Sequence, residues 1–195
     1  HMNTSWDMAR FEVCAEKWAD LSEPGYGVAL LNDCKYGYDI HDNVLRLSLL
    51  RAPLSPDPLA DRGRQVFTYA LFPHAGDVRE GGVIAEAYAL NVPLHLQTVP
   101  SQAGTLPASH SFFQVDRPGV VIEAVKRAED GNDVIVRLYE ADGARGTVNL
   151  TTSLPIRKAR KTNLLEKPEK PLSLKAGTVK LVLKPFQIVT VRFAV

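Results

Sequence analysis

The sequence predicts an all-β chain of antiparallel β-sandwiches, and three observations predict it. Apolar residues recur mostly at a period of two, the repeat of a strand with one buried and one wet face. Thirteen prolines and thirteen glycines cut the chain into segments of strand length. Helix-favouring composition is confined to one stretch, 83–91, where Ala85, Glu86, Ala87 and Ala89 favour a short helix that Val92-Pro93 would stop. That stretch reads equally as an irregular edge segment.

Taken in order, Gly27-Val28-Ala29-Leu30-Leu31 is an apolar strand running into a polar turn. Leu45, Leu47 and Leu49 share one face of a second strand. Phe67-Thr68-Tyr69-Ala70-Leu71-Phe72-Pro73 reads as a buried strand with His74 at its end, where a lone histidine is expected to be a hydrogen-bonded structural residue. Residues 97–107 lack charge and period, which predicts a linker or long crossover loop. Val120–Lys126 and Asp133–Tyr139 are rich in β-branched residues and flank Glu129-Asp130-Gly131-Asn132, so they predict a hairpin. Leu154–Pro171 is expected to be a basic loop, its cluster from Arg157 to Lys170 being either solvated or the guard of an edge strand. Val179, Leu181 and Leu183 alternate with lysines, and Val189, Val191 and Phe193 alternate with Thr190 and Arg192. The expected organisation is residues 3–107 as part of a larger sandwich and 108–195 as a small C-terminal sandwich. His1-Met2 is read as an expression-tag remnant.

Composition excludes several classes. Hydrophobic residues at 45% and a net charge of +1 exclude a disordered chain and a global field for nucleic acid. The basic cluster from Arg157 to Lys170 has no interleaved aromatics for base stacking and is interrupted by Glu166 and Glu169. Short, charge-broken apolar runs exclude a membrane-spanning helix. Cys14 and Cys34 are too few for a disulfide scaffold and are expected as buried free thiols rather than a bridge. The five histidines are scattered, with no zinc-ligand spacing. There is no phosphate loop, nucleophile elbow or H-E-x-x-H.

Two motifs admit chemistry. Asn32-Asp33-Cys34-Lys35-Tyr36-Gly37-Tyr38-Asp39 is either a hairpin turn or a loop presenting groups to a ligand. Tyrosines offer a face and a hydroxyl that suit a sugar. In the proline-stiffened stretch Arg51–Gly63, Arg62 is either half of a solvated pair with Asp61 or a directional donor to a ligand oxygen.

The run from Trp18 to Asp39 closely resembles the C-terminal region of glycoside hydrolase family 38 α-mannosidases, in the cytosolic-type branch. Leu47–Pro53, Asp61-Arg62-Gly63, Phe67–His74, Arg137–Ala141 with Gly143–Gly146, Asn163–Glu166 and Pro185–Thr190 continue the resemblance in order. It covers nearly the whole chain from Phe11. The resemblance implies a modular, retaining enzyme that hydrolyses terminal α-linked mannose, with an α/β barrel, a helical bundle and C-terminal sandwiches. A barrel aspartate would be the nucleophile, in a carboxyl pair roughly 5 Å apart. A divalent metal, zinc or cobalt, would bind sugar hydroxyls in the barrel. It implies that this chain carries no catalytic residue and no metal ligand, and is inactive alone. Its partners would be the barrel and bundle of the same polypeptide and a mannose-containing oligosaccharide, with no nucleic acid and no membrane. Homo-oligomerisation of the full-length enzyme stays open, and the branch implies the cytoplasm. The candidate substrate contacts it implies are Asp33, Lys35, Tyr36, Tyr38 and Arg62. Two other classes stay open: an independent carbohydrate-binding module, and a purely structural interaction domain with an exposed apolar patch.

Overall fold

The computed structural model describes residues 4–8 and 12–195. It divides into two units, one reaching Val99 and one beginning at Pro100. A helical turn, α1 (Ser5–Met8), comes first. The N-terminal unit then holds β1 (Glu12–Cys14), β2 (Trp18–Glu23), β3 (Tyr26–Asn32), β4 (Gly37–His41), β5 (Val44–Leu47), β6 (Tyr69–Ala75) and helix α2 (Val83–Asn91). They form two antiparallel three-stranded sheets, ordered β1-β4-β5 and β2-β3-β6.

The register explains how both faces of the second sheet find partners. Trp18 pairs with Leu31, and Ala70 and Phe72 pair with Leu31 and Ala29. That face packs on Val83 and Ala87 of α2. The other face places Ala19 and Leu30 against Tyr38, Ile40, Leu45 and Leu47 of the first sheet. The stretch 83–91 is therefore a helix, because an apolar sheet face is available to cover. The Asn91 amide donates to the Ala87 carbonyl within the helix (2.8 Å) and to Asn32 of β3 (2.9 Å), tying the helix end to the sheet.

Two expectations are corrected here. Phe67–His74 is not a buried strand: Ala70, Phe72 and His74 turn inward, but Leu71 is 70% exposed. The reason is its place at the sheet edge. The Asp33 amide donates to the Thr68 carbonyl at 3.1 Å, so residues 68, 70, 72 and 74 bond to β3 and Pro73 falls where an amide would point outward. The cysteines are free as expected, but both are exposed rather than buried.

His74 is clamped inside this unit. Its Nε2 meets Asp20 Oδ1 at 2.8 Å, with both side chains almost fully buried. Gly27 is glycine because a Cβ there would lie 2.4 Å from the His74 ring. Gly27→Ala is expected to cost about 1–3 kcal/mol through overpacking. A urea titration followed by tryptophan fluorescence checks it.

The C-terminal unit contains β7 (Phe113–Val115), β8 (Val120–Arg127), β9 (Val134–Glu140), β10 (Gly146–Thr152) and β11 (Lys158–Thr162). Then come β12 (Pro168–Leu172), β13 (Leu174–Lys175), β14 (Thr178–Leu183) and β15 (Ile188–Ala194). A five-stranded sheet, β12-β11-β15-β9-β8, and a four-stranded sheet, β13-β14-β10-β7, share one core. Val136, Leu138, Val191 and Phe193 from one sheet meet Val148, Leu150, Val179 and Leu181 from the other. The predicted β8–β9 hairpin is present, with Arg127 opposite Val134.

Of the two readings of the basic stretch, the structure takes the edge strand rather than the loop, as the hairpin β11–β12. Its turn is built by Asn163 Oδ1, which accepts from the Leu165 and Lys167 amides (3.0 Å each). Glu166 in that turn is buried and takes Lys126 at 2.6 Å and the Glu129 amide at 2.9 Å. Lys161 pairs with Glu169 (2.6 Å), and the other basic residues of the hairpin, Lys158, Arg160, Lys167 and Lys170, are exposed, so the charge lies along a solvated edge that resists further pairing.

At the end of β9, Glu140 is fully buried. One carboxylate oxygen accepts from the Ala144 amide (3.0 Å), the Asp142 amide (3.3 Å) and Arg117 Nη2 (3.2 Å). The other accepts from the Phe186 amide at 3.1 Å. One side chain thus holds the β9–β10 loop, the β14–β15 loop and Arg117 together.

Candidate functional site

The β3–β4 connection, residues 33–36, is held from below by Asn32. Asn32 is fully buried, as an inward position at the end of β3 requires. Its Oδ1 accepts from the Lys35 amide at 2.7 Å, which closes the turn. Its Nδ2 donates to the Tyr38 hydroxyl. Tyr38 in turn donates to the Leu30 carbonyl at 3.2 Å. The Asn32 backbone is fixed by Lys17, whose carbonyl accepts its amide at 2.9 Å, and by Asn91. Every polar group of Asn32 is therefore spent on shaping the loop.

The candidate residues fall into different places on this frame. Tyr38 is buried at 2% exposure, and burial pushes its hydroxyl pKa up. Its hydroxyl belongs to the core network. Asp33 is half-exposed, and Oδ1 accepts from the Thr68 amide at 2.9 Å. The Cys34 thiol, followed by the Thr68 amide, holds the Asp33 carboxyl below its usual range. The same carboxylate pushes the Cys34 thiol pKa up, so this exposed cysteine is a poor nucleophile. Lys35 extends its ammonium over the Phe67 ring, 5.0 Å from the centroid. Tyr36 is 45% exposed while its carbonyl accepts the Ala15 amide at 3.0 Å. Asp33 and Lys35 thus lean on Thr68 and Phe67, while Tyr36, on the same loop, stands exposed.

Arg62 lies on the crossover between β5 and β6 and is exposed. That crossover is not slack. Asp61 Oδ2 accepts from the Ala52 amide at 2.8 Å and the Arg51 amide at 3.3 Å, with Asp61 in a left-handed conformation at φ 62°. Asp61 therefore braces the loop rather than pairing with its neighbour, and no described residue takes the Arg62 guanidinium. The structure does not hydrogen-bond Arg62 to the Asp33–Tyr36 loop. It does tether the far end of the same crossover to Asp33 through Thr68.

The residues that sequence reasoning did not single out are Asn91, Phe67 and Thr68. Their roles rest on contacts 32 to 59 positions apart, which a local pattern does not carry. The loop offers the Lys35 cation and the Tyr36 phenol, and the separate crossover offers the Arg62 guanidinium. Among the described residues, no group of three His, Cys, Asp or Glu converges as a metal site. Among the described residues the donor set does not fit a divalent ion. No described helix is long and apolar enough to cross a membrane.

Residues 1–59 match the sequence profile of the glycosyl hydrolases family 38 C-terminal domain, and residues 119–191 match that of the family 38 C-terminal beta sandwich domain. Alpha-mannosidase 2C1 of Homo sapiens is 50% identical over 97% of this chain, and the match covers 19% of that protein. Alpha-mannosidase G of Dictyostelium discoideum is 41% identical over 99% of this chain and 18% of its own length. The chain thus spans about a fifth of the curated relatives it matches. A solved α-mannosidase from Enterococcus faecalis V583 has the same fold over 93% of this chain and 21% of its own, with a TM-score of 0.74 at 23% identity. Two profiles of one family, in the order of the two units, and relatives aligned along nearly the full chain place these 195 residues in the C-terminal β-sandwich region of glycoside hydrolase family 38.

Proposed function

We propose that this chain is the non-catalytic C-terminal segment of a cytoplasmic, retaining α-mannosidase that hydrolyses terminal α-linked mannose. In this reading it packs on the barrel and helical bundle and lends the Asp33–Tyr36 loop and Arg62 to the rim of the sugar site. The observation that carries it is the loop itself, locked by buried Asn32 while Lys35 and Tyr36 face outward. Rigid donors of this kind position a hydroxyl-rich ligand without reacting with it. The carboxyl groups agree with a supporting role. Asp33, Asp77, Asp116, Glu140 and Glu166 are all shifted below the usual range, the direction of a fixed anion rather than a general acid. The metal, zinc or cobalt, belongs to the barrel in this reading. Two exposed, unbridged cysteines suit a reducing compartment.

The test is an aryl α-mannoside assay with added metal on the full-length enzyme and on this chain. Turnover by the chain alone overturns the proposal. In the full-length enzyme, Lys35→Ala and Arg62→Ala are each expected to raise KM about 10- to 100-fold, the range for one hydrogen bond to a charged group. Unchanged KM in both would favour a second reading, a purely structural interaction domain. That reading has its own support in the exposed apolar face around Leu71.

A further inference from the structure

We infer that the open face of the β2-β3-β6 sheet is a docking surface for another part of the same polypeptide, an apolar side chain flanked by a cation. The inference rests on the reading of this chain as a segment of a longer enzyme.

The first sheet covers only part of this face. Ala19 and Leu30 are packed beneath Tyr38, Ile40, Leu45 and Leu47. The cover stops short of β6. Beyond it, Leu71 is 70% exposed, and Tyr26 and Tyr69 are each 53% exposed. By register, Leu71 lies beside Leu30 and Tyr69 beside Asn32, on the same face as Tyr26 and Val28. Leu21, Val28, Tyr26, Leu45 and Leu71 line a groove of about 610 Å³ there. Aromatic and aliphatic side chains around a concave, apolar floor are the make-up of an interface centre, whereas scattered single apolar residues are ordinary surface.

Three arguments choose the mode and the occupant. First, the sheet edge is closed to strand addition at Pro73, which has no amide to give at an outward position. Docking therefore uses the face, not the edge. Second, Glu23 and Asp42 stand at the rim of the groove. A second copy meeting this face by two-fold symmetry would set those carboxylates against their own counterparts, so self-pairing is disfavoured. A lysine or arginine beside the apolar anchor complements them. Third, this chain covers 18–22% of the length of its curated relatives, so most of the polypeptide lies elsewhere and can supply the anchor.

The experiment is site-resolved maleimide labelling of Leu71→Cys in the full-length enzyme, read by mass spectrometry in native buffer and in urea. Native protection of about 100-fold or more is expected at a docked position, against less than about tenfold for the same substitution in this chain alone. Tyr26→Cys, at the far end of the face, repeats the measurement should Leu71→Cys fold poorly. Equal, fast labelling in the native full-length enzyme overturns the inference. So does protection in the isolated chain that grows with its concentration, which would identify a second copy as the occupant. Labelling needs no substrate, so the two readings fail separately. A protected but inactive enzyme sinks the mannosidase reading, whereas an active Leu71→Cys enzyme whose introduced thiol reacts freely sinks the docking surface.

Discussion

Replacing Glu140 by alanine is expected to destabilise the C-terminal unit by about 3–5 kcal/mol, the cost of removing one member of a buried charged network. The magnitude follows from what is stranded. The carboxylate is fully buried and satisfies three backbone amides, of Asp142, Ala144 and Phe186. Arg117 loses its counter-ion while Nη1 already lacks a partner among the described residues. Phe186 sits in a left-handed conformation at φ 55°, and the Glu140 bond to its amide is one of the contacts that holds it there. Glu140→Gln keeps the volume but turns one acceptor into a donor facing donors, so it is expected to fall between wild type and alanine.

Both tryptophans, Trp6 and Trp18, lie in the N-terminal unit. Urea unfolding should therefore shift in far-UV circular dichroism and stay fixed in tryptophan fluorescence. Coincident shifts in both signals, or none in either, would count against the account. Acid adds a second check. Burial raises the Glu140 pKa, but the Phe186, Ala144 and Asp142 amides and Arg117 more than offset it, and the net shift is downward from the ordinary 4.5. A lowered folded pKa means that the contribution is complete above 4.5 and is lost as pH falls through the folded value. Glu140→Gln should flatten that acid limb by up to about 1.4 kcal/mol per pH unit, the limit for one proton.

How much of this was legible depended on whether the determinant was local. Val179, Leu181 and Leu183 announce their buried face because alternation is a property of six consecutive residues. The β8–β9 hairpin is legible for the same reason, since its turn chemistry sits between its strands. The open face of β6 was not legible. Leu71 and Phe72 are both apolar neighbours, and only the order of strands decides which one meets α2. The candidate loop shows the same division. Its polar richness marks a turn, but the inward course of Tyr38 depends on Leu30 and Asn32 of the facing sheet. For the β11–β12 hairpin the basic composition left a solvated loop and a guarded edge strand both open, and only the pairing of its strands and Glu166 buried against Lys126 decide for the edge strand.

The second large effect is expected at the Asp20–His74 pair. His74→Ala should destabilise the N-terminal unit by about 3–5 kcal/mol, because it leaves a buried carboxylate without its partner. The two side chains are only 6% and 2% exposed, so water cannot take over the lost contact. The bond is also the clamp between β2 and β6 at the end of the sheet, with Phe72 stacked at 6.0 Å from the imidazole. Asp20→Asn retains a hydrogen-bond acceptor of the same shape and removes only the charge, so about 1–3 kcal/mol is expected. The hydrogen bond to Asp20 raises the His74 pKa above 6.5 against the opposing effect of burial, with smaller help from the Ala75 and Gly76 backbone. A raised folded pKa means that this contribution is complete below 6.5 and is lost as pH rises through the folded value. Asp77, on the following loop, feels the same charge, which helps to lower its own carboxyl pKa after the Glu80 and Arg79 amides. Proton NMR of the imidazole should place the wild-type midpoint above 6.5. In Asp20→Asn the midpoint should fall below that of wild type, since burial then acts without the carboxylate. A midpoint unmoved by Asp20→Asn would show that the carboxylate does not set the charge of His74, and the pH dependence assigned to the pair would fall with it.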